Sequence, residues 1–102
     1  MFTDMAEMIR ESSGEEKKTF RIKNRLGLHA RAASMFVQVA NRFDSEISVS
    51  KNDQEVNGKS IMGILILAAP KGSEITIKAV GADALKALRA LGELIEEGFG
   101  EE

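Results

Sequence analysis

The chain has no cysteine, no tryptophan and no tyrosine, a single proline (Pro70) and a single histidine (His29). Without cysteine there is no disulfide and no thiol chemistry, and no redox compartment can be read from the chain. One histidine without cysteine leaves too few ligands for a zinc site, so no metal and no cofactor is expected. Neither sign of charge dominates: 14 lysines and arginines stand against 16 aspartates and glutamates, for a net charge of -2. A nucleic-acid binder usually carries a basic excess or stripe, so that class of partner is not expected. No apolar run is long enough to span a membrane. Asp4, Glu7 and Arg10 fall where a secretory signal needs an apolar run, which reads as a cytoplasmic protein.

What is present is an ordinary globular composition. Hydrophobic residues make up 43% and charged residues 29% of 102 positions, which suits one domain with one modest core. No internal repeat and no low-complexity linker interrupts it. Residues 1–16 read as an extension preceding a domain over 17–102. Phe2, Met5, Met8 and Ile9 fall at helical spacing, with Thr3 or Asp4 as a cap and Ser12-Ser13-Gly14 as a stop. That pattern predicts a short helix lying on the domain, with a docking or dimerisation helix as the alternative.

From there the period switches repeatedly. Thr19 to Lys23 alternates, with Phe20 and Ile22 on one face, and reads as a half-buried strand. Ala30 to Asn41 takes helical spacing, with Ala33, Phe36, Val37 and Ala40 as the buried stripe. Glu46 to Ser50 alternates again, and Gln54 to Asn57 returns after the turn formers Asn52-Asp53, predicting a hairpin. The dense run Ile61 to Leu67 fits a buried strand or a short helix by periodicity alone. Ser60 directly before it is a good N-cap, which favours the helix. A short helix has too few inward positions for so many large side chains, so Ile61, Met62 and Leu65 are candidates for an exposed apolar patch. Glu74 to Ala79 is a fourth alternating stretch. Gly81-Ala82-Asp83 opens a last helix with Ala84, Ala87, Leu88, Leu91 and Ile95 inward, and Gly98 suits its end. Gly92 should weaken that helix by up to about 1 kcal/mol relative to alanine. The order β-α-β-β-α-β-α, with every strand polar on one face, predicts an α+β fold: a four-stranded antiparallel sheet with its three helices on one face.

The stretch Gly27-Leu28-His29-Ala30-Arg31 joins the first strand to the first helix. A helix start offers free backbone N–H groups and the positive end of the helix dipole, both of which favour phosphate. The backbone N–H groups of Ala30 and Arg31 are the candidate donors, and Arg31 adds a forked pair. A histidine of ordinary pKa is substantially neutral near pH 7, so a ring nitrogen is free to attack phosphorus. The pattern by itself also fits a plain surface or capping histidine.

From about Lys17 onward the chain resembles the histidine-containing phosphocarrier proteins, the HPr family of the bacterial phosphotransferase system. The likeness is carried by Gly27-Leu28-His29-Ala30-Arg31, by Lys59-Ser60-Ile61-Met62-Gly63-Ile64-Leu65, and by Gly81-Ala82-Asp83 before an alanine- and leucine-rich helix. The resemblance implies an open-faced β-sandwich, and a monomer is expected. It implies that His29 accepts a phosphoryl group on Nδ1 from enzyme I and passes it to a histidine of an enzyme IIA, with Arg31 stabilising the phosphate. The protein would then be a carrier in sugar transport or its nitrogen-related counterpart, not a free-standing enzyme. Ser60 matches the position modified by a regulatory kinase/phosphorylase in many members, with a transcription regulator as a further partner. Ile61, Met62 and Leu65 read equally well as core; exposed, they would make a small apolar patch beside His29 suited to transient docking. The segment Ile22 to Gly27 and the Gly98-Phe99 ending resemble the nitrogen-related branch, often called NPr, whereas Lys59 to Leu65 resembles the sugar branch. One departure stands out: Ala32 occupies the place where the family usually has proline. Proline suits the first helical turn, so alanine there implies a looser helix start. A regulatory binding module of the same fold, acting through Ser60 and the apolar patch without productive transfer, is the second reading.

Overall fold

The computed structural model describes residues 14–101. The helix expected over Phe2 to Ile9 lies outside the described residues. Four strands and three helices follow in the order β1 (Glu15–Arg21), α1 (Ala30–Ala40), β2 (Glu46–Lys51), β3 (Gln54–Asn57), α2 (Ile61–Leu67), β4 (Glu74–Val80) and α3 (Ala84–Glu96). A 3-10 turn, Gly98–Gly100, follows α3. All strand pairings are antiparallel and the sheet order is β1-β4-β2-β3.

The alternation read from sequence decides which face is buried. Phe20 lies opposite Ile75, Ile47 opposite Ala79, and Val49 opposite both Ile77 and Val56. These side chains meet the helices in one core that includes Phe36, Ile64, Leu91, Ile95 and Phe99. The other sheet face is polar: Thr19 and Thr76 are register partners whose hydroxyls bond at 2.8 Å. An antiparallel sheet tolerates this one-sided wetting, because neighbouring strands satisfy its backbone groups on either face. The architecture is therefore the expected α+β open-faced sandwich.

The first strand differs from its expected span of Thr19 to Lys23. It begins at Glu15, where polar residues on both faces give no alternation to read, and pairing with β4 extends it. It ends at Arg21 because Ile22 leaves the ladder: its N–H donates to Ser73 O at 2.9 Å and its carbonyl accepts from Gly72 at 2.8 Å. Ile22 remains buried, so its inward assignment stands while its strand assignment does not. The Ile61–Leu67 run is a helix. Ser60 Oγ accepts from Gly63 N at 3.0 Å, satisfying one of the free donors at the helix start.

Gly92 has a packing reason that the helix pattern did not supply. A Cβ at that position would stand 2.7 Å from Phe20 Cε1 and 2.8 Å from Cζ. The missing side chain lets α3 lie close on β1.

Candidate functional site

The site is built where the chain turns from β1 into α1. Asn24 is buried and its amide Nδ2 donates to Gly27 O at 2.8 Å, closing the turn on itself. Gly27 holds a left-handed backbone, φ 68. Leu28 N then donates to Ala69 O at 2.9 Å, which ties the turn to the chain just beyond α2. His29 is the N-cap residue of α1, extended at φ -76 and ψ 179, and its carbonyl accepts the first helical bond from Ala33 N at 2.8 Å.

The side chain of His29 does not cap the helix, and the first turn of α1 holds no acidic residue. The early backbone N–H groups, those of Ala30 and Arg31 among them, therefore have no side-chain acceptor at the helix start. Ala30 and Arg31 are exposed, while Ala32 is fully buried and α1 starts at Ala30 without proline. A cleft of about 350 Å³ opens at this end, lined by Arg25, Leu26, His29, Arg31 and Glu101. Two guanidinium groups and a helix N-terminus around one small cleft favour an anion there. Among the described residues, no group of three or more His, Asp or Glu side chains could hold a metal ion.

Three of the lining residues were not singled out from sequence: Arg25, Leu26 and Glu101. Arg25 and Leu26 lie inside the turn and were legible as neighbours of the motif. Glu101 had no local signal. Its Oε2 stands 2.6 Å from His29 Nε2 across 72 residues of chain, and its Oε1 accepts from Asn24 Nδ2 at 3.0 Å. The bond from Asn24, then that from His29 and the attraction of His29 and Arg31, hold the Glu101 carboxyl below its ordinary pKa against an opposing effect of burial.

Ser60 lies at the opposite end of α2 from the His29 turn. Seven residues at about 1.5 Å each put roughly 10 Å of helix between them. Ile61 and Met62 are exposed, at 44% and 69%. Leu65, the third residue expected in the apolar patch, is half-buried against the core, and Ile66 is exposed in its place at 54%. Leu26 is also exposed, so apolar surface lies at both ends of α2.

The fold and the turn together define a class: small open-faced sandwiches that present a histidine and an arginine at the open start of a helix. The family model described as PTS HPr component phosphorylation site matches residues 16–97. The chain belongs to the HPr family of phosphocarrier proteins. It is 54% identical over 85 residues to the phosphocarrier protein HPr of Neisseria meningitidis serogroup A, spanning 83% of this chain and 96% of that one. Its structure is similar to that of HPr-C-His from Thermoanaerobacter tengcongensis, with a TM-score of 0.83 and 48% identity over 85% of this chain and 98% of that chain. It is also similar to the Bacillus subtilis catabolite repression protein Crh, solved as a swapped dimer, with a TM-score of 0.67 and 42% identity over 78% of this chain and 91% of that one.

Proposed function

We propose that this chain is a phosphocarrier of the phosphoenolpyruvate-dependent phosphotransferase system, working in the cytoplasm. His29 accepts a phosphoryl group on Nδ1 from phosphorylated enzyme I and delivers it to a histidine of an enzyme IIA protein. The observation that carries this reading is the uncapped helix start: His29 and Arg31 share one cleft with free N–H donors of α1. Attack by a ring nitrogen forms the N–P bond as the bond to the donor histidine breaks. Arg31 and the backbone N–H groups of Ala30 and Arg31 then neutralise the dianionic group, which is most of what phosphoryl transfer asks of a protein. The cleft is shallow and open, so the donor and acceptor proteins complete it and the phosphoryl group is not trapped. Leu26, Ile61, Met62 and Ile66 are the exposed apolar residues suited to those transient partners. Met62 adapts to more than one of them.

The test is intact-mass spectrometry after incubation with phosphoenolpyruvate and purified enzyme I. One acid-labile phosphoryl group is expected on the native chain and none on His29→Ala. No added mass with enzyme I of either the sugar or the nitrogen-related branch would overturn this reading.

Likeness to Crh supports a second reading, a regulatory module. Ser60 would then be the modified residue, adding roughly -1.5 to -2 charges at a helix start that tolerates them. A kinase/phosphorylase would write that mark and a transcription regulator would read it beside Ile61 and Met62. An unphosphorylated His29 in the mass experiment would favour this module.

A further inference from the structure

We propose that Glu101 is a positioning residue for His29, one that fixes which ring nitrogen carries the proton; this rests on the phosphocarrier reading given above. A carboxylate is an acceptor only, so the 2.6 Å contact from Nε2 to Glu101 Oε2 requires the proton on Nε2. In the neutral ring that leaves the lone pair on Nδ1, and Nδ1 has no hydrogen-bond partner among the described residues. The nucleophilic nitrogen is thereby chosen before any phosphoryl donor arrives.

The carboxylate is itself held. Asn24, only 1% exposed, donates from Nδ2 to Gly27 O and to Glu101 Oε1, so one amide braces both the histidine turn and the carboxylate. Glu101 follows Phe99, whose fully buried ring anchors the closing turn although its backbone is left-handed, φ 57. The last bond of that turn, Glu101 N to Gly98 O at 2.9 Å, sets where the side chain starts.

The bracing makes a specific forecast. In Glu101→Gln, Asn24 Nδ2 can only donate, so it retains the glutamine oxygen. The glutamine amide NH2 then faces His29 Nε2, which must accept, and the ring proton moves to Nδ1. In Glu101→Ala neither tautomer is enforced.

The experiment is long-range proton–nitrogen NMR of the ¹⁵N-labelled full chain at a pH where the ring is neutral. It is paired with the rate of phosphoryl acceptance from phosphorylated enzyme I. The native chain is expected to hold the proton on Nε2, Glu101→Ala to show a mixture, and Glu101→Gln to favour Nδ1. Acceptance should slow by about tenfold or more in Glu101→Gln and less in Glu101→Ala. A residue that only props the turn would give the opposite order, because glutamine keeps the shape that alanine loses. Identical tautomers in all three chains, or a slower Glu101→Ala than Glu101→Gln, would overturn the proposal. A native chain that takes no phosphoryl group would overturn the phosphocarrier reading instead, and the NMR result would still decide what Glu101 does to the ring.

Discussion

Gly27 sets where His29 stands. An alanine there would place its Cβ against the Ala69 carbonyl oxygen and 2.9 Å from Pro70 Cα, and would have to adopt φ 68 as well. The left-handed backbone alone costs an L-residue roughly 1–2 kcal/mol. The obstacle is backbone, which cannot swing aside as a side chain would. Gly27→Ala is therefore expected to lose about 2 kcal/mol or more, read as a lower urea midpoint with unchanged slope. A native-like midpoint would mean the turn relaxes away from Ala69. At this scale the sequence was informative about Gly27, His29 and Arg31, because turn and helix start are local chemistry. It was silent about Glu101, because nothing within a window of neighbours marks a residue that reaches the histidine through a tertiary turn. Leu65 shows the same limit: its spacing left both exposure and burial open, and packing against the core decided.

At the scale of elements, α3 and β1 meet at Gly92 and Phe20. Alanine at 92 would raise helix propensity by up to about 1 kcal/mol, but its Cβ would press on a ring tip that is itself packed. Overpacking of this kind costs about 1–3 kcal/mol. The net effect expected for Gly92→Ala is a loss of about 1 kcal/mol by chemical denaturation, and the double variant with Phe20→Leu should recover part of it. A stabilised Gly92→Ala would show that the ring moves freely. Sequence periodicity located α1, α3 and the β2–β3 hairpin well, since each has a clear apolar stripe. It misjudged β1, whose first residues are polar on both faces and are ordered by β4 rather than by their own pattern. The α2 segment was ambiguous by period, and one hydroxyl, that of Ser60, is what tips it to a helix with a defined start.

For the molecule as a whole, Asp83 is the joint between α3 and the loop that leads into β2. Its carboxylate accepts from the backbone N–H groups of Asp44 at 2.9 Å and Ser45 at 3.0 Å, and from the Ser45 hydroxyl. The Ser45 hydroxyl first, then the backbone of Asp44, hold the Asp83 pKa below its ordinary value. The sign follows directly. In acid the unfolded chain binds this proton before the folded chain does, so the contribution is complete above about pH 5 and fades as pH falls through the folded value. Urea midpoints are expected to drop between about pH 5 and pH 3, and Asp83→Asn should flatten that drop. An unchanged pH profile in Asp83→Asn would show that other carboxylates, Glu101 among them, govern acid stability.

The strand order has a consequence for how the chain is made. Among the described residues β1 pairs only with β4, so Glu15 finds Val80 and Phe20 finds Ile75 across most of the domain. On a ribosome, Phe20 emerges early and stays without its strand partner Ile75 until β4 has left the exit tunnel. Glu101 comes later still, and with it the bond to His29. The nascent chain therefore carries His29 long before Glu101 can reach it.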